Sequence, residues 1–415
     1  MASSPPLFTR NFLLLITGFF FQSLGFTSLF LLPLYIDYLG ASRSELGTIM
    51  AVAPMSGLLI RPALAWGLDI LGRKPVVVAG TLFLVSGMVS VAAVGDLGAL
   101  IYLHRILVGV GIATLFTGYT TWASDLIPLE RRTEGMAIFG VAGLFPVAFN
   151  AFVHELHVDP PDLRYFFPLV GGLIALSLVS ISTLEEPTRA ASTRKGQESP
   201  DHSYRLGQVL RALCQAQLVP VWLATFIFSG LVALFVTFAT VTAESRIGIT
   251  AGESFWAQPA GLWLPYACAA MGVRIVGGRL PDRLGEHNMV SPALAGYIAA
   301  FLLLAGADTP AEFLAAGTLA GVGHGYCFPV LISLAVSRSP QRWRGSAVAL
   351  YTALWGVTEL VLVPLFGYVA DLYGDATLYT SATLGALLCM VAWFVIEHRW
   401  GPDGTPLIVQ QPGVS

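Results

Sequence analysis

The chain has 415 residues, of which 55% are hydrophobic and only 11% charged, with a formal net charge of −3. Soluble globular proteins carry about 25% charged residues, so this composition excludes that class and predicts an α-helical membrane protein. The 22 basic and 25 acidic residues provide no basic face, which excludes a nucleic-acid partner.

Six apolar runs in the first part of the chain predict six transmembrane helices. A helix that crosses a bilayer needs about 20 apolar residues, and each run is bounded by charged residues or by Gly and Pro. The runs cover residues 11–37, 44–68, 75–95, 97–124, 133–155 and 164–184. The first run follows one arginine and lacks a plausible cleavage site, so it is predicted to be a transmembrane helix rather than a signal peptide.

A polar segment separates these runs from six more. Residues 185–205 are rich in Pro, Ser and charged residues, a composition typical of a flexible linker. The later runs cover residues 217–243, 253–279, 288–306, 309–337, 345–371 and 376–396. The sequence therefore predicts six-helix halves at 1–188 and 206–400, a cytoplasmic linker at 189–205 and a cytoplasmic tail at 401–415.

The distribution of Arg and Lys predicts the orientation. If the N-terminus is inside, nearly all basic residues fall on the inner side, whereas Arg43, Arg164 and Arg246 fall on the outer side and Arg105 lies within a helix. Positively charged loops prefer the cytoplasm. We therefore predict a multi-pass protein of the plasma (inner) membrane with both termini in the cytoplasm.

A repeated motif relates the two halves. The chain reads RPALAWGLDILGRK between the second and third predicted helices, and RIVGGRLPDRLG between the eighth and ninth. Arginine, aspartate and glycine recur at an offset of 213 residues. The repeated positions are Arg61, Asp69 and Gly72 in the first copy and Arg274, Asp282 and Gly285 in the second.

A second repeat lies in the fourth and tenth predicted helices. The fourth helix contains R-x-x-x-G-x-G as Arg105, Gly109 and Gly111, and its glycines recur 212 residues later as Gly321 and Gly323. Parallel repeats of this kind indicate two homologous six-helix halves with a binding site at their interface near the membrane midplane.

On these motifs the sequence resembles the major facilitator superfamily, from the first to the twelfth predicted helix. The loop signature G-x-L-x-D-R-x-G-R-K is met well in the second half and more loosely in the first. The matching positions are Asp69, Gly72, Arg73 and Lys74, and Gly278, Leu280, Asp282, Arg283 and Gly285. The resemblance implies a monomeric carrier with twelve transmembrane helices, which moves a small molecule by alternating access and needs no cofactor.

The two motif aspartates are predicted to gate the cytoplasmic side. At a helix end, a carboxylate can pair with arginine or with the positive N-terminus of another helix. In the family, the first aspartate is thought to latch against the start of the eleventh helix, which here would bring Asp69 near Arg344 and Gly345. Asp282 would face the start of the fifth helix. The simpler alternative is that these charges only fix topology and turns.

Two charged residues are predicted near the middle of the membrane. Arg105 lies about 12 Å deep in the fourth helix, and because an unpaired guanidinium there is costly, it must face a cavity or a partner. It binds a substrate anion, takes part in proton coupling, or serves as a structural hydrogen-bond hub. Glu359 is the only carboxylate near the middle of a predicted helix, so it is the leading proton-coupling candidate, with a paired structural role as the alternative.

Four further polar residues are candidates for the lining of the cavity. His324 in the tenth helix is titratable and flanked by glycines, although a lone histidine in a helix is often a packing residue. Gln22, Tyr119 and Gln258 in the first, fourth and eighth helices are the other candidates. Packing is the alternative role for each.

The fifth predicted helix bears on the direction of transport. Drug/proton antiporters of the superfamily usually carry G-x-x-x-G-P there, but this chain keeps only Pro146 and has Val141 and Phe145 at the glycine positions. We predict a proton-coupled exporter from its overall similarity to bacterial exporters. Uptake by proton symport and a transport-inactive sensor remain open.

The sequence contains no catalytic, metal-binding or nucleotide-binding motif, so neither enzymatic activity nor a bound metal is predicted.

Overall fold

The computed structural model describes residues 6–128, 131–185, 215–249, 254–278, 280–340 and 343–400. This part of the chain consists of helices and turns and contains no strand, which confirms the predicted all-α class. The predicted linker at 189–205 and tail at 401–415 lie outside the described residues.

The N-terminal half comprises helices α1 to α6. Local capping fixes the start of α2: the Ser42 hydroxyl accepts a hydrogen bond from the Glu45 amide, and the Glu45 carboxylate accepts one from the Ser42 amide, which forms a capping box. The bounds are α1, Arg10–Tyr38 with a 3-10 turn at Leu29–Leu31; α2, Arg43–Ile70; α3, Arg73–Ser90; α4, Ala99–Leu126; α5, Arg132–Leu144, extended by a 3-10 segment at Phe145–Phe152; and α6, Leu163–Ala175 continued by Ser177–Thr183.

The C-terminal half comprises helices α7 to α12. The bounds are α7, Val219–Ile247; α8, Trp263–Val276; α9, Glu286–Gly306; α10, Pro310–Ser337; α11, Arg344–Tyr373; and α12, Asp375–Trp400, with a short helix at Leu280–Leu284 between α8 and α9. The predicted start of the eighth helix at residue 253 is wrong. Two 3-10 turns, Phe255–Ala257 and Pro259–Leu262, precede α8, because Pro259 lacks an amide proton to continue an α-helix from the preceding residues.

The bundle has the length and the surface of a membrane protein. Ten helices in the described part of the chain are long and apolar enough to cross a membrane, and Ile138–Phe152 is a shorter apolar helix. The α-helical part of α8 has 14 residues, fewer than the roughly 20 that a bilayer requires. Large apolar side chains such as Leu59, Val179 and Val276 are exposed on the bundle. The membrane fold is thus confirmed, while the count of twelve spans stays a prediction.

The repeated glycines make equivalent contacts in the two halves. A Cβ atom at Gly109 would lie 2.1 Å from a carbonyl oxygen of α2, and one at Gly111 would lie 2.6 Å from a backbone nitrogen of α3. In the other half, a Cβ at Gly321 would lie 2.3 Å from a carbonyl oxygen of α8, and one at Gly323 would lie 2.8 Å from a carbonyl oxygen of α9. Only glycine permits these close approaches, so the sequence repeat is also a packing repeat.

The loop motif recurs in backbone conformation as well. Gly72 precedes α3 with φ of 99°, and Gly285 precedes α9 with φ of 90°. Both values lie in the region that side chains with a Cβ avoid. We use "outer end" for the end of the bundle that contains Arg43 and "inner end" for the end that contains Ile70 and Arg73, following the predicted orientation, which itself stays a prediction.

Candidate functional site

Helices α2 and α11 form a tight seam between the two halves at the outer end. A Cβ atom at Gly367 of α11 would lie 2.3 Å from the carbonyl oxygen of Arg43, and one at Gly47 of α2 would lie 2.7 Å from the carbonyl oxygen of Val363. Further inward, a Cβ at Gly356 would lie 2.9 Å from the side chain of Leu58 in α2. The backbones of the two helices therefore touch along the outer part of the seam.

A charge cluster locks the outer end of this seam. The backbone amides of Arg43 and Ser44 donate to the two carboxylate oxygens of Asp371 at 2.7 and 2.9 Å. The Arg43 side chain pairs with Asp37, and its Nε lies 3.2 Å from Oδ1 of Asp375. Since Asp371 and Asp375 belong to α11 and α12, these contacts join the halves. We call Asp37, Arg43, Asp371 and Asp375 the outer latch.

A second seam is also closed at the outer end. The backbone amide of Phe255 donates to Oε1 of Glu155 at 2.8 Å, and the rings of Phe152 and Phe255 have centroids 4.7 Å apart. The rings of Phe30 in α1 and Trp263 in α8 are 4.9 Å apart. Both interfaces between the halves are thus shut on the outer side.

The inner end of the α2–α11 seam is open. Asp69, Arg344 and Gly345 are exposed, and the Asp69 side chain makes no hydrogen bond or ion pair with any described residue. A Cβ atom at Gly345 would meet nothing within 4 Å. The seam is therefore joined at its outer end and not at its inner end, and the predicted cytoplasmic latch is not engaged. The gating role of Asp69 stays a prediction.

Two further motif residues hold the N-terminal half together. Nε of Arg73 donates to Oδ2 of Asp125 in α4 at 2.9 Å, and its Nη1 donates to the Leu68 carbonyl at 3.2 Å. Nζ of Lys74 donates to the Ser182 carbonyl in α6 at 2.7 Å. These contacts tie the start of α3 to three neighbouring helices of one half and leave the seam free.

The second copy of the motif is described in part. A Cβ at Gly278 would lie 2.4 Å from the carbonyl oxygen of Arg274, so this turn also requires glycine. The side chain of Arg283 is exposed. The side chain of Asp282 lies outside the described part of the chain, and its predicted role is not tested.

The structure brings together the two charged residues predicted at mid-membrane. Arg105 is buried in α4, where its Nε donates to the Ile49 carbonyl at 3.3 Å and its Nη2 to the Met50 carbonyl at 2.7 Å. The guanidinium lies near enough to the carboxyl group of Glu359 in α11 for the two charges to attract each other, although no hydrogen bond or salt bridge joins them. One side chain thus binds α4 to α2 and faces a charged partner in the other half.

His324 lies in an aromatic surrounding within the C-terminal half. Its Nδ1 is 2.7 Å from the hydroxyl of Tyr266, which is 3.0 Å from the hydroxyl of Tyr297. The imidazole centroid lies 5.5 Å from the ring of Phe228 and 6.5 Å from that of Trp355. Tyr266 contacts the imidazole directly, and Tyr297 contacts Tyr266 in turn. Neither tyrosine was singled out from the sequence; the signal that could have found them is a tyrosine within an apolar helix.

The other predicted lining residues are buried within the protein. Nε2 of Gln22 donates to Thr81 in α3 at 2.8 Å and to Ser177 in α6 at 2.6 Å, beside a small recess lined mostly by apolar side chains. Tyr119 is fully buried, and its ring lies 5.5 Å from that of Phe19. Gln258 is buried between the two turns that precede α8. It therefore lies at the outer end, whereas the sequence placed it in the eighth helix.

Two equivalent sets of membrane helices, closed against each other at one end and open at the other, define the class of alternating-access membrane transporters. The chain belongs to the Major Facilitator Superfamily, whose family profile matches residues 13–358.

Relatives in sequence include multidrug resistance proteins and transporters of unknown substrate. Multidrug resistance protein 2 of Bacillus subtilis is 22% identical over 298 residues, which cover 70% of this chain and 72% of that protein. An uncharacterized MFS-type transporter of Pseudomonas aeruginosa is 23% identical, with 89% and 88% covered. Multidrug resistance protein 1 of Bacillus subtilis is 25% identical, but the match covers 45% of this chain and 48% of that protein, about half its length.

Solved structures share the fold at low sequence identity. The peptide transporter POT in complex with sulfate superposes with a TM-score of 0.73 at 14% identity, covering 94% of this chain and 96% of that one. A bacterial homologue of the human lysosomal transporter Spinster, solved in an inward-facing and unoccupied conformation, superposes with a TM-score of 0.74 at 14% identity, covering 98% and 100%. These similarities establish the fold alone.

Proposed function

We propose that this protein is a monomeric, proton-coupled exporter of a small molecule in the inner membrane, with both termini in the cytoplasm. The multidrug-resistance relatives favour export. The observation that carries the coupling proposal is the attraction between Arg105 in one half and Glu359 in the other. The strength of this attraction depends both on whether Glu359 is protonated and on how far apart the two halves are.

The proton acts through the charge of Glu359. When the carboxyl group is ionised, Arg105 attracts it and holds α4 and α11 together across the cavity. When the group takes up a proton from the outer side, that attraction is lost, and the equilibrium between outward-open and inward-open conformations shifts. The proton leaves on the inner side when the cavity opens there, while the substrate travels in the opposite direction.

The test uses Glu359→Gln in proteoliposomes, with a substrate first identified by counterflow from a panel of drugs and metabolites. Glutamine keeps size and hydrogen-bonding capacity but cannot titrate. We expect the variant to lose accumulation driven by a pH gradient and to keep counterflow at zero gradient, since exchange requires no net proton movement. Gradient-driven accumulation at the wild-type level would show that Glu359 is not the coupling site.

Glu312→Gln is the matched control. Glu312 accepts hydrogen bonds from Thr309 at the start of α10, and glutamine also serves at this capping position. This variant should retain both activities.

Proton-coupled uptake is the second candidate, and the replacement of two antiporter glycines by Val141 and Phe145 favours it. The sign of the pH gradient decides between them. An exporter accumulates substrate in inside-out vesicles when their lumen is acidic, whereas a symporter accumulates it when the lumen is alkaline. Absence of saturable flux in either direction would instead favour a sensor.

A further inference from the structure

Two arginines occupy equivalent positions at the inner mouth of the cavity. Arg61 in α2 donates from Nη1 to Oγ1 of Thr352 at 2.8 Å and from Nη2 to the carbonyl of the same residue at 3.1 Å. Arg274 in α8 donates from Nε to the Gly325 carbonyl at 3.3 Å, and its guanidinium lies 5.8 Å from the ring centroid of Phe328. The two positions are related by the 213-residue repeat.

Each arginine lies at one of the two seams between the halves. Arg61 reaches from α2 to α11 of the other half. A Cβ atom at Gly140 of α5 would lie 3.9 Å from Nη1 of Arg274, so Arg274 faces the N-terminal half from α8. Both side chains are half-buried. The open inner mouth is therefore bordered by one guanidinium on each side.

Neither guanidinium is neutralised within the described part of the chain. Arg43, Arg73 and Arg338 each pair with a carboxylate, whereas Arg61 and Arg274 have no carboxylate within salt-bridge distance among the described residues, nor one that acts on them electrostatically. Nε of Arg61 is buried without a hydrogen-bond partner there. The carboxyl group of Glu359 faces Arg105 instead.

We propose that Arg61 and Arg274 make the inner mouth an anion-attracting site, and that the transported molecule carries a carboxylate or a similar small oxyanion. Two charges without a carboxylate partner among the described residues, beside low-dielectric walls, raise the local concentration of anions and lower that of cations. A guanidinium also offers paired donors that match a carboxylate. The term "transported molecule" rests on the proposed function, whereas the electrostatic site can be tested without any transport.

The electrostatic test compares two thiol reagents of opposite charge. In a variant whose native cysteines are replaced, Gly140→Cys places one thiol beside Arg274. Its reaction rate is measured with an anionic sulfonatoethyl and a cationic trimethylammonioethyl methanethiosulfonate, each relative to the rate with free cysteine. One guanidinium beside this thiol and a second one at the opposite seam should together favour the anionic reagent by roughly tenfold, and high salt should reduce that preference.

Arg61→Gln and Arg274→Gln should each lower the preference severalfold, and together they should abolish it. Arg246→Gln is the control, because Arg246 also donates to backbone carbonyls, those of Leu304 and Ala307, but lies at the outer end. Equal normalised rates, or preference for the cation, in the protein with all arginines intact would overturn the proposal even if the variants failed to fold.

The assay also separates two sources of the anion. It is repeated in nanodiscs of phosphatidylcholine with and without phosphatidylglycerol. An unchanged preference supports a soluble anion. Loss of the preference in the presence of phosphatidylglycerol would show that an acidic lipid headgroup occupies the mouth and would overturn the assignment of a soluble anion.

A transport assay tests the substrate assignment. It compares the counterflow of three compounds that share one apolar core and carry either a carboxylate, an amide or a trimethylammonium group. The compound that undergoes counterflow should be the carboxylate, and faster counterflow of the ammonium compound would overturn the substrate assignment. Anionic preference at Gly140→Cys without any gradient-driven transport would mean that the proposed function fails while the anion-attracting site stands.

Discussion

The two ends of the α2–α11 seam use the same chemistry and are in opposite states. At the outer end, Asp371 near the C-terminus of α11 accepts hydrogen bonds from the first amides of α2. At the inner end, Asp69 near the C-terminus of α2 stands free of the first residues of α11. Because the two helices run antiparallel, each end offers one aspartate and one helix N-terminus.

This difference shows how one seam can serve as two gates. A carboxylate at a helix N-terminus is stabilised by the exposed amides and by the helix dipole, a contact typically worth about 0.3 to 1 kcal/mol when exposed to solvent. Such a contact is strong enough to bias a conformation and weak enough to break in every cycle. We infer that the two aspartates act in alternation, Asp371 in the inward-open state and Asp69 in the outward-open one.

The largest effect is expected for Arg105→Ala, which loosens the packing of α4 against α2, the helix that forms one side of the seam. Arg105 ties α4 to α2 through the carbonyls of Ile49 and Met50, and its loss also leaves Glu359 without its positive partner. A hydrogen bond that a charged group makes is worth about 1.5 to 3 kcal/mol, and the substitution removes two of them. Transport should be abolished, and thermal unfolding of the purified protein should shift to lower temperature.

Arg105→Lys is the informative companion variant. Lysine keeps the charge opposite Glu359 but cannot donate to two carbonyls through a planar fork, so it should retain part of the activity. Both variants are first checked for membrane insertion. Wild-type transport in Arg105→Ala would assign the residue to structure alone.

The next largest effect is expected for a glycine of α11 at the outer end of the seam, compared with a glycine of the same helix at the inner end. In Gly367→Ala the new methyl group would lie 2.3 Å from the carbonyl oxygen of Arg43, and overpacking of this kind costs about 1 to 3 kcal/mol. The outer seam should open, which is measured as a longer distance between spin labels on the outer ends of α2 and α11.

Gly345→Ala is its control at the inner end. Its methyl group meets nothing within 4 Å, and replacing glycine by alanine in a helix is favourable by about 1 kcal/mol. The inward-open state should keep its outer distance. Equal opening by both substitutions would mean that the seam is not packed as described.

The smallest expected effect is that of Arg43→Gln, which removes the ion pairs with Asp37 and Asp375 while Asp371 keeps its amides. Partly exposed ion pairs are worth about 1 kcal/mol or less, so the outward-open population should rise by no more than about fivefold. Arg73→Gln is the matched control, since its partner Asp125 belongs to the same half. That substitution should lower stability slightly without shifting the population, and a shift as large as that of Arg43→Gln would contradict the latch.

Much of this architecture was predictable because membrane helices require long apolar runs and close helix packing requires glycine, and both features can be recognised in the sequence. The apolar runs gave the helices to within a few residues for most of the chain, and the offset between Gly109 and Gly321 anticipated equivalent packing. The eighth helix was misplaced because apolar composition continues through Phe255 and Trp256, while the local turns depend on proline and on contacts with Phe152.

The outer latch was not predicted, for a physical reason. Arg43 was recognised only as a positive residue on the outer side, because its partners in the other half, Asp371 and Asp375, lie more than 300 positions away. Pairings of that range depend on how the halves meet, which no local pattern encodes. The attraction between Arg105 and Glu359 escaped for the same reason, although both residues were singled out by the cost of charge in the membrane.

The most direct test compares Asp371→Asn with Asp69→Asn by spin-label distances at both ends of α2 and α11, in the same reconstituted preparation. Asparagine keeps the shape and removes the charge. The alternating-latch account requires opposite shifts: Asp371→Asn should lengthen the outer distance and shorten the inner one, and Asp69→Asn should lengthen the inner distance under conditions that populate both states. Shifts in the same direction, or unchanged distance distributions in both variants, would contradict it.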